Sequence, residues 1–198
     1  MPDDAGHVIA PWMQTVSGRA LDLLTPTPDQ IDLGDIAHAL AHINRFSGHT
    51  LRPWSVAAHS RLVMRIAGQR TDDPQILLAA LLHDAHEAYT GDLTSPMKDA
   101  LAWIDPGARQ TWRLLETRLQ VAIHRAVGLP DYLSVDARDA IHHADLCALD
   151  AESVLRAPSA RPWRAVPRAD HPVSLMPLAT DQEIRTFLAT VEELRKCL

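Results

Sequence analysis

Apolar residues recur along most of this chain at helical spacing. From about Leu33 to Phe46 they fall at Ile36, Leu40 and Ile43, and from Ser55 to Ala67 at Val56, Leu62, Val63 and Ile66, so each stretch predicts an amphipathic helix. Asp73-Pro74 reads as an N-cap followed by proline at the first helical position, opening a helix that runs to about Tyr89 and stops before Gly91. Pro106 opens a long amphipathic helix to about Val127, closed by Gly128-Leu129-Pro130. Ser134 caps another that carries Ile141, Ala144, Ala148 and Leu149 to about Leu155. A last helix spans Asp181 to Lys196. Met13 to Val16 and Ala20 to Leu23 flank Ser17-Gly18 and predict a small hairpin, whereas the proline-rich stretch from Ala157 to Pro177 lacks any period and reads as a surface excursion or a flap. The expected fold is an all-α helical bundle with at most a small N-terminal β-hairpin.

Composition narrows the setting. The 198 residues are 46% hydrophobic, enough for a substantial core in one domain spanning 1–198. A net charge of −6 without a basic run argues against duplex nucleic acid or an anionic membrane as partner, and leaves room for a small phosphorylated ligand. With two cysteines only, Cys147 in an apolar helical segment and Cys197, a reducing compartment is expected. Met1-Pro2-Asp3-Asp4 shows no leader pattern, and no stretch is long and apolar enough to span a bilayer, so a cytoplasmic location is expected.

One helix breaks the apolar pattern. His83-Asp84 follows the run Ile76-Leu77-Leu78-Ala79-Ala80-Leu81-Leu82 and precedes Ala85-His86-Glu87, placing ionisable groups where a packing helix needs none. Such groups are costly to bury unless paired or bound to a metal. His59, within Ala57-Ala58-His59-Ser60, and Asp145, within His143-Ala144-Asp145-Leu146, are likewise polar among small or apolar neighbours. His59, His83, Asp84 and Asp145 therefore make a candidate metal set from three helices. Two imidazoles and two carboxylates suit one divalent ion such as Mn, Co, Fe or Zn, with Mg as a further option. The rival reading of each histidine is a core side chain satisfied by a backbone carbonyl. Glu87, four residues after His83 and three after Asp84, shares their helix face and is placed to orient or deprotonate a bound water. His86 reads as exposed, with ligation or a contact behind the ligands as its alternatives. His142 and His143 read as surface groups or contacts behind the ligands, and Asp139 and Asp150 as more solvated than Asp145.

At these residues the chain resembles the HD-domain superfamily of metal-dependent phosphohydrolases, whose signature is a His, a His-Asp pair and a distant Asp. The stretch Leu82-His83-Asp84-Ala85-His86-Glu87-Ala88-Tyr89-Thr90-Gly91-Asp92-Leu93-Thr94-Ser95-Pro96-Met97-Lys98 is similar to the branch that contains bacterial 5′-deoxynucleotidases and related nucleotide phosphohydrolases. Ile43-Asn44-Arg45-Phe46, Ala58-His59-Ser60 and Ala144-Asp145-Leu146-Cys147-Ala148 resemble it as well. The likeness runs from about Asp35 to Asp150 and leaves the last quarter uncovered. Asp32 to Leu40, joined to Arg45-Phe46-Ser47-Gly48-His49, is similar to members handling nucleotides of other phosphorylation states.

The resemblance implies an HD-type bundle and hydrolysis of a phosphate ester or anhydride on a nucleotide, with Glu87 aligning the water and Asp92 holding it or protonating the leaving oxygen. Arg45 offers a fixed fork for the phosphoryl group, the rival being a structural ion pair. Lys98 and His49 are further candidates for the phosphate pocket, against readings as a solvated lysine and a loop residue. Phe46 stands where the deoxynucleotidase pattern has tryptophan. It keeps an aromatic face for a sugar but no indole N–H, so sugar preference stays open. Trp54, Trp103 and Trp12 are candidates for an aromatic wall or for core. The expected activity is release of phosphate from (deoxy)nucleoside 5′-monophosphates, with di- or triphosphates as the runner-up substrates. A metal-containing nucleotide-binding regulator without turnover is the rival from another class, and the resemblance favours a homodimer.

Overall fold

Two short strands, β1 (Trp12–Gln14) and β2 (Ala20–Asp22), pair antiparallel with Met13 opposite Leu21 and Leu21 fully buried, which is the hairpin the alternation predicts. The structure is a computed structural model that describes residues 11–198, so the reading of residues 1–4 lies outside it. The helices are α1 (Leu33–His42), α2 (Val56–Ala67), α3 (Pro74–Leu81), α4 (Glu87–Thr90), α5 (Ser95–Ile104), α6 (Ala108–Val127), α7 (Val135–Ala151) and α8 (Thr180–Arg195). Helical 3-10 turns cover Pro28–Gln30, Arg45–Gly48 and Glu152–Leu155.

Side-chain caps start four of these helices. Asp32 accepts from the N–H groups of Gly34 and Asp35, Ser55 from Ala58, Asp73 from Gln75 and Ser134 from Ala137, each satisfying donors that a helix N-terminus leaves free. Gly128, at φ 89°, ends α6 in the left-handed conformation that glycine adopts without strain.

Helix α2 is the centre of the bundle and packs against α1, α3, α7 and α8. Its buried face includes Ala57, Ala58 and Ser60, and those of α3 and α7 include Ala79, Ala80, Ala144 and Ala148. Small residues allow helix axes to approach closely, so that short side chains span the gaps between helices. Phe187 and Val191 of α8 close the core from one side. Arg61 of α2 and Glu183 of α8 form a buried fork-to-fork pair, Nε–Oε1 2.5 Å and Nη2–Oε2 3.0 Å.

Tertiary contacts overrule the periodicity in several places. The first helix ends at His42 rather than Phe46, because Ile43 to Arg45 runs extended beside Trp54 to Val56. There Arg45 N–H donates to Trp54 O (2.9 Å) and Val56 N–H to Ile43 O (2.9 Å). The helix from Pro74 does not reach Tyr89. It stops at Leu81, and residues 82–86 form tight turns in which Ala85 N–H bonds Leu82 O and Glu87 N–H bonds Asp84 O, while the Gln120 amide donates to Leu82 O at 2.8 Å. Helix α5 is not signalled by the apolar period, and none of its residues is buried. In α6 only the C-terminal half, with Leu119, Ala122, Ile123 and Val127, belongs to the core; Leu114 and the α5 residues Trp103 and Ile104 stay exposed. The stretch 157–177 has no regular structure, but its later part is fastened along α2 rather than hanging as a flap. Arg65 bonds Ser174 O, Gln69 exchanges two hydrogen bonds with His171, and Arg70 forks onto Asp170. No helix among the described residues is long and apolar enough to cross a membrane.

Candidate metal centre

Three elements deliver the predicted ligands to one place. His59 lies one turn into α2 and is fully buried, His83 and Asp84 sit in the turns after α3, and Asp145 lies midway along α7. His59 Nε2 is 3.2 Å from Asp145 Oδ1 and 3.6 Å from Asp84 Oδ2. His83 Nε2 is 3.1 Å from Asp84 Oδ2 and 4.0 Å from Asp145 Oδ1.

The other ring nitrogens settle the tautomers. His83 Nδ1 faces the Ala80 carbonyl at 2.9 Å, an oxygen that only accepts, and His59 Nδ1 faces Glu152 Oε1 at 2.8 Å. Each Nδ1 therefore donates, and in the neutral ring each Nε2 carries a lone pair into the cluster. Both Nε2 atoms are buried without a hydrogen-bond partner. In the neutral rings these lone pairs face carboxylates, an arrangement that either a proton or a metal cation between them satisfies. Atoms bound about 2.1 Å from one divalent ion lie roughly 3 to 4.2 Å from each other, which is the spacing seen here. The cluster is able to hold a metal ion, and His59, His83 and Asp145 offer donor atoms all within 4.8 Å of one another.

Charge is graded across the site. Burial and Arg45 oppose a charged His59, but the Glu152 and Asp145 carboxylates outweigh them and raise it to about 9. Asp84 is held well below the usual carboxylate range, with His83 and His59 overcoming its burial, and Asp145 is lowered against burial mainly by His59. Glu87 goes the other way. Burial, with Asp84 and Asp92 beside it, pushes its carboxyl up to about 10, and its Oε2 has no hydrogen-bond partner. Asp92 is also raised by burial, although Arg45 and the Phe46 N–H draw it down.

Glu152 is the group that sequence reasoning missed. It is fully buried in the 3-10 turn that continues α7, where Oε1 accepts from His59 Nδ1 and, at 2.7 Å, from Trp54 Nε1, while Oε2 accepts from Arg45 Nε at 3.1 Å. His59 and Arg45 keep it ionised despite burial. Its signal was a carboxylate seven residues after Asp145, two turns along the same face, among Ala151, Val154 and Leu155. Trp54 is accordingly core and no open wall for a base; Trp12 and Trp103 are exposed and belong to none of these contacts.

The remaining candidates divide. Arg45 lies over the site with Nη1 3.9 Å from Asp84 Oδ2, and its guanidinium is held charged against burial by Glu152 and Asp84. Phe46 follows it at φ 55° and Ser47 at φ 52°, two consecutive left-handed residues with side chains, a conformation uncommon outside glycine. Lys98 pairs with Glu116 at 2.7 Å, close enough for its charge to act on Glu87. His49 caps the turn in an exposed position and does not reach the cluster.

His86 is buried rather than exposed. Its Nδ1 faces Gln120 Oε1 at 3.1 Å, an amide oriented by its own bond to Leu82 O, and its Nε2 lies 3.6 Å from Glu116. Asp84, His86 and Glu87 form a second group of possible ligands, but both His86 nitrogens already face acceptors, so the ring braces the site from behind. His142 is exposed and His143 half-buried beside Cys147.

No family model matches the chain. It is 40% identical over 151 residues to RCAP_rcc00048, an uncharacterized protein of Rhodobacter capsulatus, across 72% of each chain. It is 30% identical over 141 residues to the uncharacterized protein YfdR of Escherichia coli K12, across 71% of this chain and 70% of that one. At that identity and coverage, the chain belongs to the same family as RCAP_rcc00048 and YfdR.

Proposed function

We propose that this protein is a metal-dependent phosphohydrolase acting on nucleotides. The observation that carries the reading is the pair of buried, unpartnered Nε2 atoms of His59 and His83 facing Asp84 and Asp145, with Arg45 and Glu87 beside them. The resemblance of the Leu82–Lys98 stretch to HD-domain phosphohydrolases supports it. His59, His83, Asp84 and Asp145 hold the ion, and their mixed nitrogen and oxygen donors suit Mn, Co, Fe or Zn. When bound, such an ion supplies Lewis acidity toward a phosphoryl oxygen and toward water.

The chain's own groups do the rest. Arg45, braced by Glu152, presents its guanidinium to the phosphoryl oxygens and offsets their charge. Glu87, with one oxygen free and buried, orients the attacking water, and it takes the proton once a cation held by the neighbouring ligands offsets the burial and Asp84 effects that keep its carboxyl protonated. Asp92, whose carboxyl burial raises against the pull of Arg45, protonates the leaving oxygen. Release of phosphate from (deoxy)nucleoside 5′-monophosphates follows the resemblance most directly. Hydrolysis of di- or triphosphates is the second reading, and Arg156, a further arginine packed on Phe46, favours it.

The test is to strip the protein of metal, restore Mn, Co, Fe, Zn or Mg singly, and measure phosphate and pyrophosphate release from nucleoside mono-, di- and triphosphates of both sugars. Metal-dependent release from any of these supports the proposal. Silence across the panel with metal bound overturns it in favour of a nucleotide-binding regulator.

A further inference from the structure

The chain after α7 brings in a second guanidinium that hydrolysis of a single phosphate does not use. Arg156 follows the turn that carries Glu152, and its guanidinium lies 3.8 Å from the centre of the Trp163 ring and 5.5 Å from that of Phe46. The Phe46 ring also takes Arg45 at 5.2 Å, and it meets Trp163 edge to face at 6.3 Å. Two guanidiniums thus share one aromatic ring at the rim of the metal centre.

Their surroundings differ. Arg45 is compensated by Glu152 and Asp84. Arg156 makes no ion pair among the described residues, and its Nη1 is buried without a hydrogen-bond partner, a costly state for a charged donor. Burial pushes its guanidinium down against the pull of Glu152 and Asp150, and Arg45 adds a smaller push the same way as burial. An arginine held against an indole loses rotamer freedom, so its planar fork is pre-organised for bidentate contact with a phosphate. Phe46 is itself held in a tight turn, where its carbonyl accepts from His49 N–H at 3.0 Å and its backbone lies in the left-handed region.

Resting on the functional reading above, we propose that Arg156, clamped by Trp163 and Phe46, binds a second phosphoryl group, so that the site selects nucleoside di- or triphosphates. An anion on the accessible edge of the half-buried guanidinium would relieve the repulsion between the two arginines. Trp163 comes from the proline-rich stretch 157–177, which gives that stretch a part in selecting the substrate.

The test compares pyrophosphate with orthophosphate as ligands of the Mn-loaded protein by calorimetry, alongside kcat/KM for nucleoside di- and monophosphates. Wild type is expected to bind pyrophosphate at least tenfold more tightly than orthophosphate. Arg156→Gln is expected to cut that ratio at least fivefold, and the di- to monophosphate ratio of kcat/KM about tenfold, chiefly through KM. Arg156→Lys, which keeps the charge and loses the planar fork, and Trp163→Leu, which removes the surface beneath it, lower the same ratios if Arg156→Gln fails to fold. No pyrophosphate preference in wild type, an unchanged ratio in a folded variant, or equal losses for both ligands overturns the proposal. An Arg156-dependent preference without nucleotide hydrolysis keeps this inference and overturns the functional reading. Monophosphate hydrolysis with no such preference does the reverse.

Discussion

Glu152 Oε1 stands 2.8 Å from His59 Nδ1 while its other oxygen holds Arg45, so one buried carboxylate orients both a candidate metal ligand and the guanidinium beside it. A carboxylate behind a ligating imidazole fixes its tautomer and raises its basicity, and losing such a partner costs roughly 10- to 100-fold in metal affinity. Glu152→Gln is expected to weaken metal binding by about that factor and to raise KM through a loosened Arg45. Titration against a competing chelator reads the first effect. An affinity within twofold of wild type would show that Glu152 only fills space.

In the proposed reaction, replacing Glu87 by Gln removes the group assigned to take the proton from water and leaves the four candidate ligands in place. Turnover is expected to fall by about 10²–10⁴ with bound metal unchanged, the range for losing a general base. Single-turnover rates together with metal analysis decide it, and a variant with full activity would remove Glu87 from the mechanism.

The Arg61–Glu183 pair fastens α8 to α2 inside the protein. Truncating one partner leaves the other as a buried, uncompensated charge, so Glu183→Ala is expected to cost about 3–5 kcal/mol in denaturant unfolding. A loss below about 1 kcal/mol would mean that water reaches Arg61 freely.

Glu116 sets a pH window. Burial opposes its charge, but His86 and Lys98 hold the carboxyl at about 2, below its usual value of 4.5. A depressed folded-state value stabilises the fold fully above the unfolded value, and this contribution is lost as pH falls from about 4.5 to about 2. Glu116→Gln should therefore be less stable than wild type at neutral pH, with the gap closing over that window. Parallel stability–pH curves for the two proteins would contradict it.

Residues that obey local rules were readable in advance. Asp73-Pro74, Ser134 and Gly128 mark helix ends because caps act within a turn or so. His59, His83, Asp84 and Asp145 stood out because polar groups interrupt apolar runs, and the structure draws those four side chains together. What stayed hidden depends on partners far along the chain. Nothing near Phe46 announces that Trp54 will pull Arg45 out of a helix, and nothing near Leu82 announces Gln120. His86 looked exposed because its acceptors, Gln120 and Glu116, lie on another helix. Glu152 looked like an ordinary helix-end carboxylate, since its three donors come from residues 45, 54 and 59.

Those last bonds span 107, 98 and 93 residues of sequence. Closing so long a loop slows folding, and a fragment that ends before Asp145 cannot assemble the cluster. A cation bound there gains its full set of ligands only from the completed fold, and its binding energy adds to the stability of that state alone. Metal uptake during refolding would then serve as a clock for that closure, starting only when residue 145 has found residue 59.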